Sequence, residues 1–173
     1  MSENNEETTT RQYLTFKLGE ELFALDVIQV REVLDVTAIT KVPRAADFMR
    51  GVINVRGNVV PVADLRLKFG MPPAETTLDT RIVVMEIVID GDTLILGAMA
   101  DSVHDVMDMT QDRIEPPPRI GAKWNSKFIK GIGKYNDQFI IILDIDKVFS
   151  TEEVRMLAEG DAAEPARARA VNA

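Results

Sequence analysis

One stretch of the chain recurs 80 residues further on without a gap (Phe48 onto Phe128), and this repeat narrows the possible folds more than any other feature. FMRGVINVRGNVVPVADLRLKFG, beginning at Phe48, lies over FIKGIGKYNDQFIIILDIDKVFS, beginning at Phe128. Phe48 meets Phe128, Gly51 meets Gly131, Asp64 meets Asp144 and Phe69 meets Phe149, while Val60 and Val62 meet isoleucines. A second match needs one gap: TFKLGEELFAL resembles EIVIDGDTLIL, and VIQVREV resembles ADSVHDV, so Val30 and Val33 answer to Val103 and Val106. A repeated supersecondary unit points to duplicated compact bodies.

Each half alternates apolar and polar residues with period two and is punctuated by short Gly, Asp and Asn turns, the pattern of hairpins rather than helices. The order in each half reads hairpin, solitary strand, second hairpin, capped helical turn. Asp64 ahead of LRLKF and Asp144 ahead of IDKVF are the expected N-caps. The chain is therefore predicted to be all-β, with two five-stranded β-barrel lobes packed together and a short C-terminal helix. Residues 1–11 are expected to be a disordered acidic tail and 12–150 the folded domain. Lobe 1 is placed at about 12–78 and lobe 2 at about 79–150. GMPPAETTLD, from Gly70 to Asp79, reads as the connector between lobes, and EPPPR as a stiff loop. Ser150 and Glu153 form the S-x-x-E capping box of a helix over 151–160, closed by Gly160, with a mobile tail over 161–173. A lobe of about 70 residues buries little core by itself, so the two are expected to lean together and leave a groove between them, with Val30 and Val103 as its lips.

Composition bears mainly on what the chain does not do. A formal net charge of -8 argues against a nucleic-acid binder, which needs a concentrated Lys/Arg footprint. Cysteine is absent from the sequence, which removes disulfides, thiolate nucleophiles and Cys-based zinc sites and fits a reducing cytoplasm. The N-terminal MSENNEETTT has no apolar core of a signal peptide, and IVVMEIVI and FIIIL are too short to cross a membrane, so both read as buried strands. GVINVRGNVV lacks the Lys-Ser/Thr of a phosphate loop, and Gly131-Ile-Gly133 lacks the third glycine of a dinucleotide fold. His104 is the sole histidine and reads as an ordinary surface residue. Asp105 with Asp108, and Asp144 with Asp146, read as solvent-side charges and a cap rather than a metal site. Neither catalysis, a cofactor nor a metal is expected.

Arg56 stands apart. It lies at a hairpin tip beside Gly57, which permits a positive φ, and Glu32 on the solitary strand is a candidate carboxylate partner. An arginine already held in place loses less entropy when it meets a partner.

The residues Gly51, Asn54, Arg56, Gly57, Pro61, Asp64, Leu65, Arg66 and Phe69 fill a pattern that closely resembles the signature of the CheW-like domain of bacterial chemotaxis, and the likeness runs from about Gln12 to Ser150. The resemblance implies two SH3-like five-stranded barrels without catalytic activity or cofactor. It implies an adaptor that couples methyl-accepting chemotaxis receptors to the regulatory domain of the histidine kinase CheA. Such a protein would be cytoplasmic and recruited through receptors to the inner face of the membrane, with other CheW-like domains as further partners in array rings. Carried over by position, receptor binding is expected at Val27, Val30, Glu32, Gly51, Asn54, Arg56 and Gly57, and kinase binding at Ile82, Val103 and Val106. Two alternatives compete: a module of the same fold serving a different receptor-kinase array, and an unrelated small-barrel ligand binder or hydrolase. The lack of a nucleophile-base pair disfavours the last.

Overall fold

The computed structural model describes residues 9–43, 45–116, 126–150 and 152–153. Eleven strands are described: β1 (Thr10–Leu18), β2 (Glu21–Asp26), β3 (Val30–Asp35), β4 (Met49–Val55), β5 (Asn58–Asp64), β6 (Arg81–Ile89), β7 (Asp92–Ala100), β8 (Ser102–Thr110), β9 (Ile114–Glu115), β10 (Ile129–Tyr135) and β11 (Gln138–Leu143). Two single-turn helices, α1 (Leu65–Lys68) and α2 (Ile145–Val148), follow β5 and β11. The fold is thus all-β, in two SH3-like lobes. Barrel one is the sheet β3-β6-β7-β5-β4, and barrel two is the sheet β8-β1-β2-β11-β10-β9.

The two repeats are not the two barrels. β1 pairs with β8 and β6 pairs with β3, so the first hairpin of each half closes onto the solitary strand of the other half. Parallel contacts seal the exchange, β11 running beside β2 and β5 beside β7. The reason is local. Only the 3-10 turn Val27–Gln29 separates β2 from β3, and only Asp101 separates β7 from β8. A tight reversal into a neighbouring strand takes positive-φ residues, and neither link has one. The chain therefore passes straight from one barrel to the other. Barrel one is contiguous from Val30 to Ala100, and barrel two is assembled from the segments on either side of it.

This corrects three expectations. The lobe boundary near residue 78 falls inside barrel one, and the Gly70–Asp79 segment links α1 to β6 within that barrel rather than joining lobes. Barrel two carries a sixth, two-residue strand, β9, paired to β10 through Ile132 and Glu115. Its counterpart in barrel one is a single bridge from Thr40 to Val52. Thr10 and Arg11, assigned to the N-terminal tail, belong to β1 because they pair with Thr110 and Met109. Residues 1–8 of that tail, most of the 151–160 helix and the 161–173 tail lie outside the described residues.

Packing follows the strand alternation. Ile82 and Val84 on β6 point into barrel one with Ile53, Val60, Val62 and Met99, whereas Val83, Met85 and Ile87 point the other way. A strand buried on both faces has no polar stripe, hence the run IVVM. Tyr13, Ala24, Met109, Ile140 and Ile142 fill barrel two. The largest cluster lies between the barrels, with Phe16, Phe23 and Leu25 from β1 and β2 meeting Met85, Ile87 and Leu96 from β6 and β7. The lobes do lean together, and what lies between them is core.

The two helical turns begin differently. Asp64 caps α1, its Oδ1 accepting from the amides of Arg66 (2.9 Å) and Leu67 (3.4 Å). Asp144 makes no such side-chain bond; its carboxylate lies 3.6 Å from Lys147 Nζ instead. The capping box forms as expected, with the Glu153 amide donating to Ser150 Oγ (3.1 Å) and the Ser150 amide donating to Glu153 Oε1 (2.8 Å).

Glu153 also receives the ammonium of Lys68 at 2.6 Å, and that ammonium lies 5.0 to 5.9 Å from the ring centres of Phe48, Phe128 and Phe149. Burial opposes ionisation of Glu153, but the Lys68 hydrogen bond and charge and the Ser150 amide outweigh it and hold the carboxyl below its usual value. A lowered folded-state pKa contributes stability above the unfolded value of about 4.3, lost as pH falls through the folded value. Glu153→Gln is therefore expected to lower the thermal midpoint near neutral pH, and the gap to the parent should close as acid protonates the folded-state carboxyl. Melting curves across that range check it; a gap that persists in acid would show that the carboxylate charge is not the source.

Candidate functional site

The β4–β5 hairpin turns through Arg56 (φ 51) and Gly57 (φ 86), positive at both central positions as a type I′ turn demands. Asn54 sets the turn up by accepting the Gly57 amide on its Oδ1 at 2.7 Å. The other positive-φ residues that are not glycine, among those described, are Asp90, Asn136 and Asp137, types that tolerate this conformation. An arginine there costs about 1 kcal/mol. The chain keeps a less suitable residue at this one tip.

Arg56 is held rather than loose. Its Nη1 lies 2.6 Å from Glu32 Oε2, and the arginine side chain is 76% exposed while the glutamate is 21% exposed. Glu32 comes from β3, the pairing the sequence suggested. An ion pair this exposed adds little to stability; its effect is to fix where the guanidinium points. Beneath it lies a groove of about 660 Å³ lined by Arg31, Glu32, Val55, Arg56, Asn58, Val59, Val60, Val84 and Ile95. All of these belong to barrel one or its hairpin turn. This groove lies on one barrel, whereas Val30 and Val103, the expected lips of a groove between the lobes, pack against the core of the seam.

The remaining expected receptor contacts separate by location. Val27 and Val30 are half-buried at the crossing from β2 to β3, and Val30 packs on the central cluster, as Val103 does on the other side. Gly51 is buried: a Cβ there would lie 2.1 Å from the Thr40 carbonyl oxygen. Its part in the fold is to admit the crossing segment. Asn54 and Gly57 serve the turn. Glu32 and Arg56 alone of the set line the groove.

Among the expected kinase contacts, Ile82 is fully buried inside barrel one and is withdrawn as a surface residue. Val106 is 48% exposed on β8. Phe139 and Tyr135, 66% and 51% exposed on the β10–β11 hairpin, depart from the expectation that FIIIL is a buried strand, because period-two alternation puts Phe139 opposite Ile140. The sequence reading missed Ile28, exposed on the turn between β2 and β3. His104 is exposed and bonded to Ser102 Oγ at 3.0 Å.

Guanidinium donors over an aliphatic floor recognise, and nothing among the lining residues pairs a nucleophile with a base. Among the described residues no group of three His, Cys, Asp or Glu could hold a metal ion, and no helix is long and apolar enough to cross a membrane. Fold and site together define a double-barrel recognition protein built by internal duplication.

The family follows from comparison with known sequences. The model of the CheW-like domain matches residues 12–153, and the chain belongs to that family. Among its relatives, the chemotaxis protein CheW of Klebsiella aerogenes is 30% identical over 151 residues, covering 87% of this chain and 89% of that protein. The chemotaxis protein CheW of Helicobacter pylori is 31% identical over 150 residues, 87% of each. The crystal structure of the scaffolding protein TtCheW from Thermoanaerobacter tengcongensis superposes with a TM-score of 0.74 at 35% identity, over 84% of this chain and 91% of that one.

Proposed function

We propose that this chain is a non-enzymatic adaptor that couples methyl-accepting chemotaxis receptors to the histidine kinase CheA by touching both at once. The observation that carries the reading is Arg56: a strained, exposed guanidinium pinned by Glu32 above an aliphatic groove, in a protein whose relatives are chemotaxis proteins. Arginines fixed in this way are typical of binding hot spots. The receptor tip docks on barrel one, burying aliphatic surface worth about 25 cal/mol per Å² before association costs, while Arg56 sets its orientation. The kinase regulatory domain docks on barrel two, where Val106, Tyr135 and Phe139 are exposed. The large core between the barrels makes them one rigid body, so neither contact needs a conformational change to be felt at the other. The adaptor works in the cytoplasm and reaches the inner face of the membrane through its receptors.

The test is sedimentation of the protein with a receptor signalling-domain fragment and a CheA regulatory domain. A ternary complex is expected. Arg56→Ala should weaken the receptor fragment about tenfold with the kinase interaction and melting point unchanged, and Val106→Asp should do the reverse. If Arg56→Ala unfolds the protein, or leaves receptor binding intact, the assignment of the groove is wrong.

A further inference from the structure

The groove carries a second guanidinium that the family pattern did not mark. Arg31 is the extra residue of a β-bulge: Val30 pairs with Met85 and Glu32 with Val84, so two steps along β3 match one along β6. A bulge re-aims the side chains beside it. Here it lets Arg31 and Glu32, neighbours that a regular strand would send to opposite faces, both line the groove.

Arg31 is fixed as Arg56 is. Its Nη2 lies 2.6 Å from Glu86 Oε1, with the arginine 55% exposed. Glu86 stands directly across from Ile95, which forms part of the groove floor, and continues the line of Ile82 and Val84 to the barrel mouth. Two guanidiniums thus sit over one patch of valine and isoleucine, each using one terminal nitrogen for its own carboxylate and keeping further N–H donors for a ligand.

Barrel two shows what the duplication would offer without this device. It has a matching bulge, where Leu14 and Phe16 face Val106 and Val103. The repeat places His104 and Asp105 where barrel one has Arg31 and Glu32, and the hairpin tip is Asn136-Asp137 in place of Arg56-Gly57. No guanidinium stands at either corresponding position. The paired cations belong to barrel one, in a chain whose formal net charge is -8.

We propose that Arg31 is a specificity-determining contact, and that the two guanidiniums select a receptor segment carrying a carboxylate on an otherwise aliphatic face. The inference rests on the receptor-docking reading and sharpens it by naming the ligand chemistry. A carboxylate entering between the arginines accepts from both, while its aliphatic neighbours cover Val55, Val59 and Ile95. Lys could not replace Arg31 in full, because the planar fork keeps one nitrogen on Glu86 while another serves the ligand.

The experiment titrates a purified receptor signalling-domain fragment against the full chain and its variants at about 50 and about 300 mM salt. Arg31→Gln is expected to weaken binding about fivefold and Arg31→Glu about thirtyfold, both with a shallower salt dependence and an unchanged melting point. Replacing single acidic residues of the fragment by their amides should reveal one whose loss weakens the parent but scarcely affects Arg31→Gln. If Arg56→Ala weakens binding and Arg31→Glu does not, docking stands and the second cation is refuted. Loss of affinity with undiminished salt dependence and no acidic residue coupled to Arg31 would refute carboxylate selection. If neither arginine matters, the docking site itself falls.

Discussion

Gly51→Ala is expected to destabilise the protein by about 3 kcal/mol or more, the range of an overpacked and strained site, and to lower its melting point by about 10 °C. The added methyl would lie 2.1 Å from the Thr40 carbonyl oxygen, 2.8 Å from its carbonyl carbon and 2.9 Å from Ile39 Cγ2. Two of those three are backbone atoms. They cannot retreat cheaply, because Thr40 and Val52 exchange amide-carbonyl bonds of 2.9 and 2.8 Å at the same place. The backbone at φ 142 adds strain for any residue with a side chain. Gly57→Ala provides the control: its Cβ meets nothing within 4 Å, so only the positive φ is penalised, at about 1 kcal/mol. Thermal melting of both variants separates a structural Gly51 from a ligand-touching one. An alanine variant that melts like the parent but fails to bind receptor would overturn this account.

Phe23→Ala is expected to cost about 3–5 kcal/mol, the usual penalty for emptying an aromatic core site, and to weaken both barrels together. Phe23 belongs to barrel two, yet it is fully buried in the central cluster and stacks on Phe16 at 5.7 Å and Phe69 at 5.8 Å. Phe69 in turn meets Phe128 at 5.8 Å, so this ring series runs from β1 past the end of α1 to the start of β10. Removing one ring opens a cavity on the seam rather than inside either barrel. Hydrogen exchange should then show amides of β4 and β5 losing protection in step with those of β10 and β11. If barrel one kept its protection while barrel two lost it, the barrels would be independent folding units, and the rigid coupling proposed between the two docking faces would have no basis.

Much of this molecule could be read from the chain alone. Alternating apolar residues located the strands, because a half-buried sheet imposes a period of two wherever it occurs. Asp64 announced the turn at Leu65, and Ser150 with Glu153 announced their capping box, since caps are local hydrogen bonds between residues close in sequence. The pair of Arg56 and Glu32 was legible because both belong to one repeat and one barrel. Asp144 was half legible: it takes the N-cap position, but its carboxylate makes no cap bond and lies 3.6 Å from Lys147 Nζ instead. Ile82 misled outright. Whether a valine or isoleucine faces solvent or core depends on which sheet its strand joins, and β6 joined barrel one.

What the amino-acid order determined unaided is the inventory: duplicated β units, and a hairpin tip that carries an arginine with a carboxylate partner on the solitary strand. What only the tertiary structure decided is the pairing. Each half sends its first hairpin to the other because links as short as Asp101 and Val27–Gln29, with no positive-φ residue, turn a corner without reversing. Strand partners far apart in sequence are chosen by that geometry and by the shared core that closes over it. The same choice shaped the groove on barrel one and, through the bulge at Arg31, brought a second guanidinium to its edge.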